Sequence, residues 1–295
     1  MTEERKGEVF IFTGAVTWGL FPIITILSYQ SMPSLISLAI STFLAGLIFL
    51  GMMLWRKRLP EHSNLLLWKY ILGIVLSIGI LFYAFVFWGL TMTTAGNASI
   101  IGLFEVYTSY LLFHAIRKEP FSFESKIGSV LMIIGALIVL APNFSDINSG
   151  DIFILLSTFC APFGNLLQQK AKKIASSETI MFLRSIIAAP LILILAYLFG
   201  QNLQFFQIKE SLFFLMINGI LLLGLAKILW LEGIARISVT KSNALSSIAP
   251  LFTLFFAWLI LDQSPTLWQI TSFLPLFFGT LLLTDNLKLN YARTN

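Results

Sequence analysis

Ten stretches of about 20 mostly apolar residues follow one another along this chain, separated by short polar joins. A hydrocarbon layer about 30 Å thick is crossed by roughly 20 helical residues rising 1.5 Å each. Inside it, a helix satisfies all its own backbone polar groups. The pattern predicts an all-α membrane protein with spans over 9–29, 34–55, 69–90, 95–116, 124–142, 150–169, 178–199, 212–235, 241–261 and 266–285. The joins leave no room for a soluble domain. Only 11% of residues are charged and the mean hydropathy is +0.88. A soluble domain carries roughly 25% charged residues. The first block is long enough to span and is followed by no convincing small-residue cleavage site, so it reads as a helix and not as a signal peptide.

The net charge of +5 does not mark a nucleic-acid-binding chain. Its basic residues form short clusters between apolar blocks, such as Arg56-Lys57-Arg58 and Lys170 with Lys172-Lys173, and no continuous basic face interleaved with aromatics. The single cysteine, Cys160, and the two histidines, His62 and His114, give neither a disulfide nor a metal-ligand pattern. No cofactor is implied. The partners expected are the lipid bilayer and a small-molecule substrate.

Orientation follows from where Lys and Arg fall. With the N-terminus in the cytoplasm, the inside segments carry Arg5, Lys6, Arg56, Lys57, Arg58, Lys69, Arg117, Lys118, Lys126, Lys170, Lys172, Lys173, Arg236, Lys241, Lys288 and Arg293, which is 16 of the 19 basic residues. Outside loops carry Lys209 with the acids Asp146, Asp151, Glu210 and Asp262. The expectation is a cell (inner) membrane protein with both termini cytoplasmic.

The halves repeat, as 1–142 and 143–295. A shift of 143 lays Gly7-Glu8-Val9-Phe10-Ile11-Phe12 on Gly150-Asp151-Ile152-Phe153-Ile154-Leu155 and pairs Ser34 with Ser177, Ala45 with Ala188 and Leu50 with Leu193. A shift of 144 pairs Gly89 with Gly233 and Gly135 with Gly279. Five helices is an odd number, so the second half enters the membrane the opposite way round. Inverted repeats place a substrate site near the midplane, at the repeat interface.

Trp18-Gly19 in the first span, Ala98-Ser99, Glu105 and Glu119 along the fourth, and Pro250 and Asp262-Gln263 in the second repeat carry a resemblance over essentially the whole chain. Together they resemble the EamA-like family of the drug/metabolite transporter superfamily. An arginine common early in that family's second helix stands here as Arg184 in the second repeat, with Ser41 in the first. Val106 replaces the family's proline after the glutamate, Lys118 its glycine, and Gln263 the second helix-end glutamate. The resemblance implies a ten-helix bundle around a cavity lined mainly by helices 1, 3, 4, 6, 8 and 9, with helix 7 peripheral.

An ionisable side chain inside a membrane is costly and needs a partner or a task. Glu105 lies mid-way along the fourth span and Lys227 inside the eighth, where the shift of 144 makes it the counterpart of Tyr83. In the implied architecture both face the cavity. They would then hold the amine and carboxylate of an amino-acid-like substrate, or else pair permanently and neutralise each other. Glu105 is also the candidate for proton coupling, because substrate and proton would compete for one carboxyl. Asn165, just past Pro162 and Gly164, is the favoured polar lining residue among Asn97, Gln168, Asn218 and Asn243. The aromatics Trp18, Tyr83, Tyr107 and Trp230 are candidates to line the pocket or stack on a cation, and Trp88 could serve likewise. Arg184 and Glu232 sit within about two turns of the cytoplasmic surface, so they are expected to pair or to reach headgroups. Gly128, Gly135 and Gly279 predict close helix contact without a GxxxG dimer motif.

The functional expectation is a secondary transporter, exporting small polar or amphipathic metabolites by alternating access, amino-acid-like ones first. The alternatives are efflux of organic cations or, from a different class, a membrane receptor or scaffold. An intramembrane enzyme is disfavoured, because the spans hold no aspartate pair and no His-Glu-x-x-His metal box.

Overall fold

The computed structural model describes residues 1–117, 122–140, 148–237, 239–284 and 286–287. Lys118, Glu119, Asp146, Lys288 and Arg293, used above for motif and orientation, lie outside them. Among the described residues, nine helices are long and apolar enough to cross a membrane: α1 Glu3–Ser28, α2 Ser34–Trp55, α3 Leu65–Leu90, α4 Ala95–Ile116, α5 Phe123–Leu140, α6 Ser149–Ala171, α7 Ser177–Leu198, α8 Phe206–Ile234 and α9 Lys241–Leu261. A shorter apolar helix, α10 Leu267–Leu283, is the tenth. Several begin before their apolar stretch does, because polar caps extend them. The Thr2 side chain accepts the Arg5 N–H to start α1, and the Asn64 side chain accepts the Leu66 N–H to start α3.

The repeat predicted from the sequence is built into the packing. The most extensive contacts join equivalent helices, α2 with α7 and α5 with α10. The remaining large interfaces come in exchanged pairs. α1 packs on α8 as α6 packs on α3, and α1 on α9 as α6 on α4. Exchanging the two five-helix halves therefore maps the bundle onto itself, as an inverted repeat requires. Gly128 and Gly279 make the α5–α10 contact tight. A Cβ added at Gly128 would come 3.0 Å from the Gly279 carbonyl, and one at Gly279 would come 2.9 Å from the Gly128 carbonyl.

Helix irregularities repeat in the same way. α3 widens into π-type turns over Val75–Phe82, and α8 does so over Ile217–Leu225. α4 breaks at Leu103 and α9 at Ser247–Ile248, positions one repeat apart. Pro250 explains the second break, since it cannot donate to the carbonyl four residues earlier. α4 breaks without a proline, by tight bonds from the Leu103 N–H to Ile100 and from the Val106 N–H to Leu103. α1 breaks at Leu20, just before Pro22. Pro162, Pro190 and Pro275 instead lie inside continuous helices.

Large apolar side chains cover the outside, among them Phe255, Trp258 and Leu259 of α9 and Ile194 and Leu198 of α7. Small hydroxyl residues are buried between helices, such as Ser28 bonded to Ser37 and Thr108 to the Thr158 carbonyl at 2.6 Å. This is the inside-out polarity that a lipid solvent selects.

Candidate functional site

A cavity of about 220 Å³ lies between the two halves. That is more than ten times the roughly 10–15 Å³ that admits a single water. Its walls come from α1, α3, α4, α6, α8 and α9, the six helices expected, and also from α7.

The helix breaks bring the polar groups in. Glu105 stands in the first turn of the half-helix Phe104–Arg117 that begins after the Leu103 break. A helix N-terminus favours negative charge, so the break suits a carboxylate at this depth. Asn165 of α6 donates to Glu105 Oε1 at 2.9 Å and fixes its orientation. Across the cavity, Lys227 follows directly on the π-type turns of α8. Its Nζ lies 3.5 Å from the ring centroid of Trp18 and 5.8 Å from that of Tyr83, a cation–π arrangement with two rings. Trp18 is itself stacked on Phe21, with centroids 4.1 Å apart, at the Leu20 break. Nearby, Ser99 donates to Thr253, and Thr253 to the Gly19 carbonyl, both at 2.9 Å, tying α4, α9 and α1 together at their irregular points.

The carboxylate and the ammonium both line the cavity, yet no ion pair within 4.0 Å joins them. Each keeps its own neutral support instead. Asn165, Trp18 and Trp230 line the same space. Tyr83 is buried behind the lining, beneath Lys227. Tyr107 packs on Phe104, with centroids 5.0 Å apart, and is not among the lining residues. Of the other amides, Gln168 and Asn243 line the cavity. Asn218 is buried against Thr25 and Ser28 of α1, and Asn97 bonds away from the cavity.

Two expectations are corrected. Arg184 neither snorkels nor pairs with Glu232. It is only 2% exposed and lines the cavity, so α7 is not wholly peripheral. Glu232 instead pairs with Arg236 at 2.7 Å and Lys172 at 3.4 Å. The sequence suggested proximity to a surface from position along the helix. Arg184 packs beside the π-type turns of α3, where a Cβ added at Gly79 would lie 3.4 Å from its Cγ.

Sequence reasoning also missed the role of Asp151, read as a loop acid. It is 1% exposed at the start of α6, where it accepts from Thr93 and, at 3.4 Å, from Asn97 Nδ2. Asn97 Oδ1 in turn accepts from Gln269 Nε2 of α10 at 2.8 Å. The opposite end of the bundle has the equivalent contact: Glu8, one repeat before Asp151, pairs with Lys241, one repeat after Asn97, at 2.5 Å. Lys241 also binds Glu4 at 2.7 Å, and Arg236 binds Glu3 at 3.1 Å. The register that aligns Gly7-Glu8 with Gly150-Asp151 was the signal for this pair of contacts.

Comparison with known proteins agrees with this architecture. The model of the EamA-like transporter family matches twice, over residues 5–141 and 148–285. The chain is 22% identical over 270 residues to the uncharacterized transporter sll1164 of Synechocystis, covering 83% of this chain and 76% of that one. It is 19% identical over 289 residues to the uncharacterized transporter YoaV of Bacillus subtilis, covering 95% and 94%. A third uncharacterized transporter, from Methanothermobacter thermautotrophicus, is 27% identical over 209 residues, 68% of this chain and 60% of that one. A solved crystal structure superposes with a TM-score of 0.70 over 95% of this chain and 98% of its own, at 15% identity, which is a likeness of fold. Two matched repeats spanning nearly the whole chain, on a bundle whose halves exchange around a central cavity, place this protein in the EamA-like transporter family.

Proposed function

We propose that this chain is a secondary transporter that exports small amino-acid-like metabolites across the cell (inner) membrane by alternating access. The observation that carries the reading is the pair of opposite charges lining one cavity without pairing to each other. A permanent Glu105–Lys227 ion pair would leave no charge for a ligand. Held apart by Asn165 and Trp18, the carboxylate is placed to take a substrate ammonium and the lysine a substrate carboxylate. Organic-cation efflux fits less well, because the Lys227 ammonium already occupies the face of Trp18 and repels a second cation there.

Alternating access is supported by two equivalent contacts at opposite ends of the bundle, Glu8–Lys241 and Asn97–Asp151. Each joins one repeat to the other, so opening one while holding the other needs only a rocking of the halves. Glu105 is the coupling residue in this scheme, releasing its proton when the substrate amine arrives.

Flux of amino acids into and out of proteoliposomes, with a proton gradient of either sign, tests the reading and its direction. Substrate movement driven by the gradient in wild type, with gradient-driven movement lost and some, weakened exchange persisting in Glu105→Gln, is the expected result. Full pH-driven transport by Glu105→Gln would make Glu105 structural. Orientation is read separately in a Cys160→Ser background. A cysteine at Ser31 or Asn148 should react with an impermeant thiol reagent from outside, and one at Ser63 should not.

A further inference from the structure

Arg184 is the one charged lining residue that the proposed function leaves without a task. It reaches the cavity from α7 and is 2% exposed, and no acid lies within 4.0 Å of it among the described residues. The acids nearest in sequence or depth are committed elsewhere. Glu178 pairs with Arg56, Glu232 with Lys172 and Arg236, and Glu105 accepts from Asn165. The guanidinium carbon lies 5.8 Å from the Tyr83 ring centroid, the same distance as Lys227 Nζ. Two cations thus flank one aromatic ring, and among the described residues no carboxylate lies within 4.0 Å of either. A buried cation with five N–H donors and no counter-ion is expensive to maintain in a membrane interior.

The cavity wall therefore carries two positive charges, Lys227 and Arg184, against one negative, Glu105. A ligand with one amine and one carboxylate would answer Glu105 and Lys227 and leave Arg184 unanswered. We propose that the substrate carries a second carboxylate, bound by Arg184, and is an amino acid with an acidic side chain. A guanidinium fork suits a carboxylate because two parallel N–H donors meet its two oxygens. The repeat supports a single subsite of this kind: the position equivalent to Arg184 is Ser41, and the equivalents of Lys227 and Glu105 are Tyr83 and Ala249. The fold is twofold, but the charges are not, so the site distinguishes the two ends of its ligand.

This inference rests on the amino-acid reading of the cavity and is tested so that the two can fail separately. The purified full-length chain in proteoliposomes is assayed for exchange of glutamate, glutamine, aspartate and asparagine, with Arg184→Gln and Arg184→Lys beside wild type. Wild type should prefer each acid over its amide by at least about tenfold in kcat/KM, the size expected for one charged hydrogen-bonded contact. Arg184→Gln should collapse that ratio towards one, mainly through KM for the acid, and Arg184→Lys should keep part of it. Should Arg184→Gln fail to fold, the wild-type ratio and the lysine variant decide alone. Equal handling of acid and amide by wild type overturns the second-carboxylate subsite and leaves the amino-acid reading standing. Movement of none of the four likewise overturns the subsite, and only the absence of movement of any amino acid in the same vesicles overturns the amino-acid reading as well.

Discussion

Replacing Asn165 by leucine, which has the same side-chain heavy-atom skeleton, removes the donor to Glu105 Oε1, a 2.9 Å bond between half-buried side chains. A hydrogen bond to a charged group is worth about 1.5–3 kcal/mol. If Asn165 serves to hold Glu105 where a substrate amine meets it, kcat/KM for exchange should fall roughly 10- to 150-fold. The double-mutant cycle makes this specific. In a Glu105→Gln background the same Asn165→Leu change should cost far less, because the oriented carboxylate is already gone, and the two losses should be strongly non-additive. Exchange kinetics in proteoliposomes on the four proteins supply the numbers, with monodispersity in detergent as the folding control. Additive losses would refute the reasoning, since they would mean that Asn165 acts on something other than Glu105.

Three further outcomes follow from the packing. Gly279→Leu should overpack α5 against α10 and destabilise the protein by about 1–3 kcal/mol or more, read as a lower thermal midpoint in detergent, while Gly51→Leu, with nothing within 4 Å of an added Cβ, should not; equal behaviour of the two would contradict the close contact. Cysteines at Glu8 and Lys241, or at Asn97 and Asp151, in a Cys160→Ser background should block flux when cross-linked and release it on reduction; undiminished flux with either pair linked would remove that contact as a gate. Glu61, in the join before α3, would be raised by its partial burial, but the Ser176 N–H and hydroxyl, both at 2.7 Å, outweigh this together with Thr179 and Arg58 and hold its carboxyl below the usual range. Its contribution is therefore present above the unfolded-state value of about 4.3 and lost as pH falls through the lower folded-state value. The stability gap between wild type and Glu61→Gln should shrink on acidification from about pH 6 to about pH 3, and a constant gap would show that the hydrogen bonds do not depend on the charge.

Helix number and the repeat were legible because each rests on a strong, local signal, the length of an apolar block or a register of identities, whereas the lining helices were implied by the family resemblance. That Glu105, Lys227 and Asn165 line the cavity was legible for a related reason. A charged or amide side chain deep in an apolar span has few places to go. What stayed hidden depends on backbone departures that hydropathy does not encode. Arg184 reads as a surface-seeking arginine, but in the fold it packs beside Gly79 in the π-type turns of α3 and lines the cavity. Tyr107, only two residues past Glu105 and so on the far side of the same helix, packs on Phe104 three residues back and does not line the cavity. The break at Leu103 was obscured, because Val106 stands where a proline would have announced it.

If Glu105 and Lys227 hold the two ends of one ligand, calorimetric titration with trimmed ligands will report each end separately. Wild type, Glu105→Gln and Lys227→Met are each titrated with an amino acid that is transported, with its deaminated acid and with its decarboxylated amine. The account predicts matched losses: removing the ligand's amine weakens binding to wild type but hardly further to Glu105→Gln, and removing its carboxylate does the same for Lys227→Met. Ligand trimming that costs the same in all three proteins would contradict it.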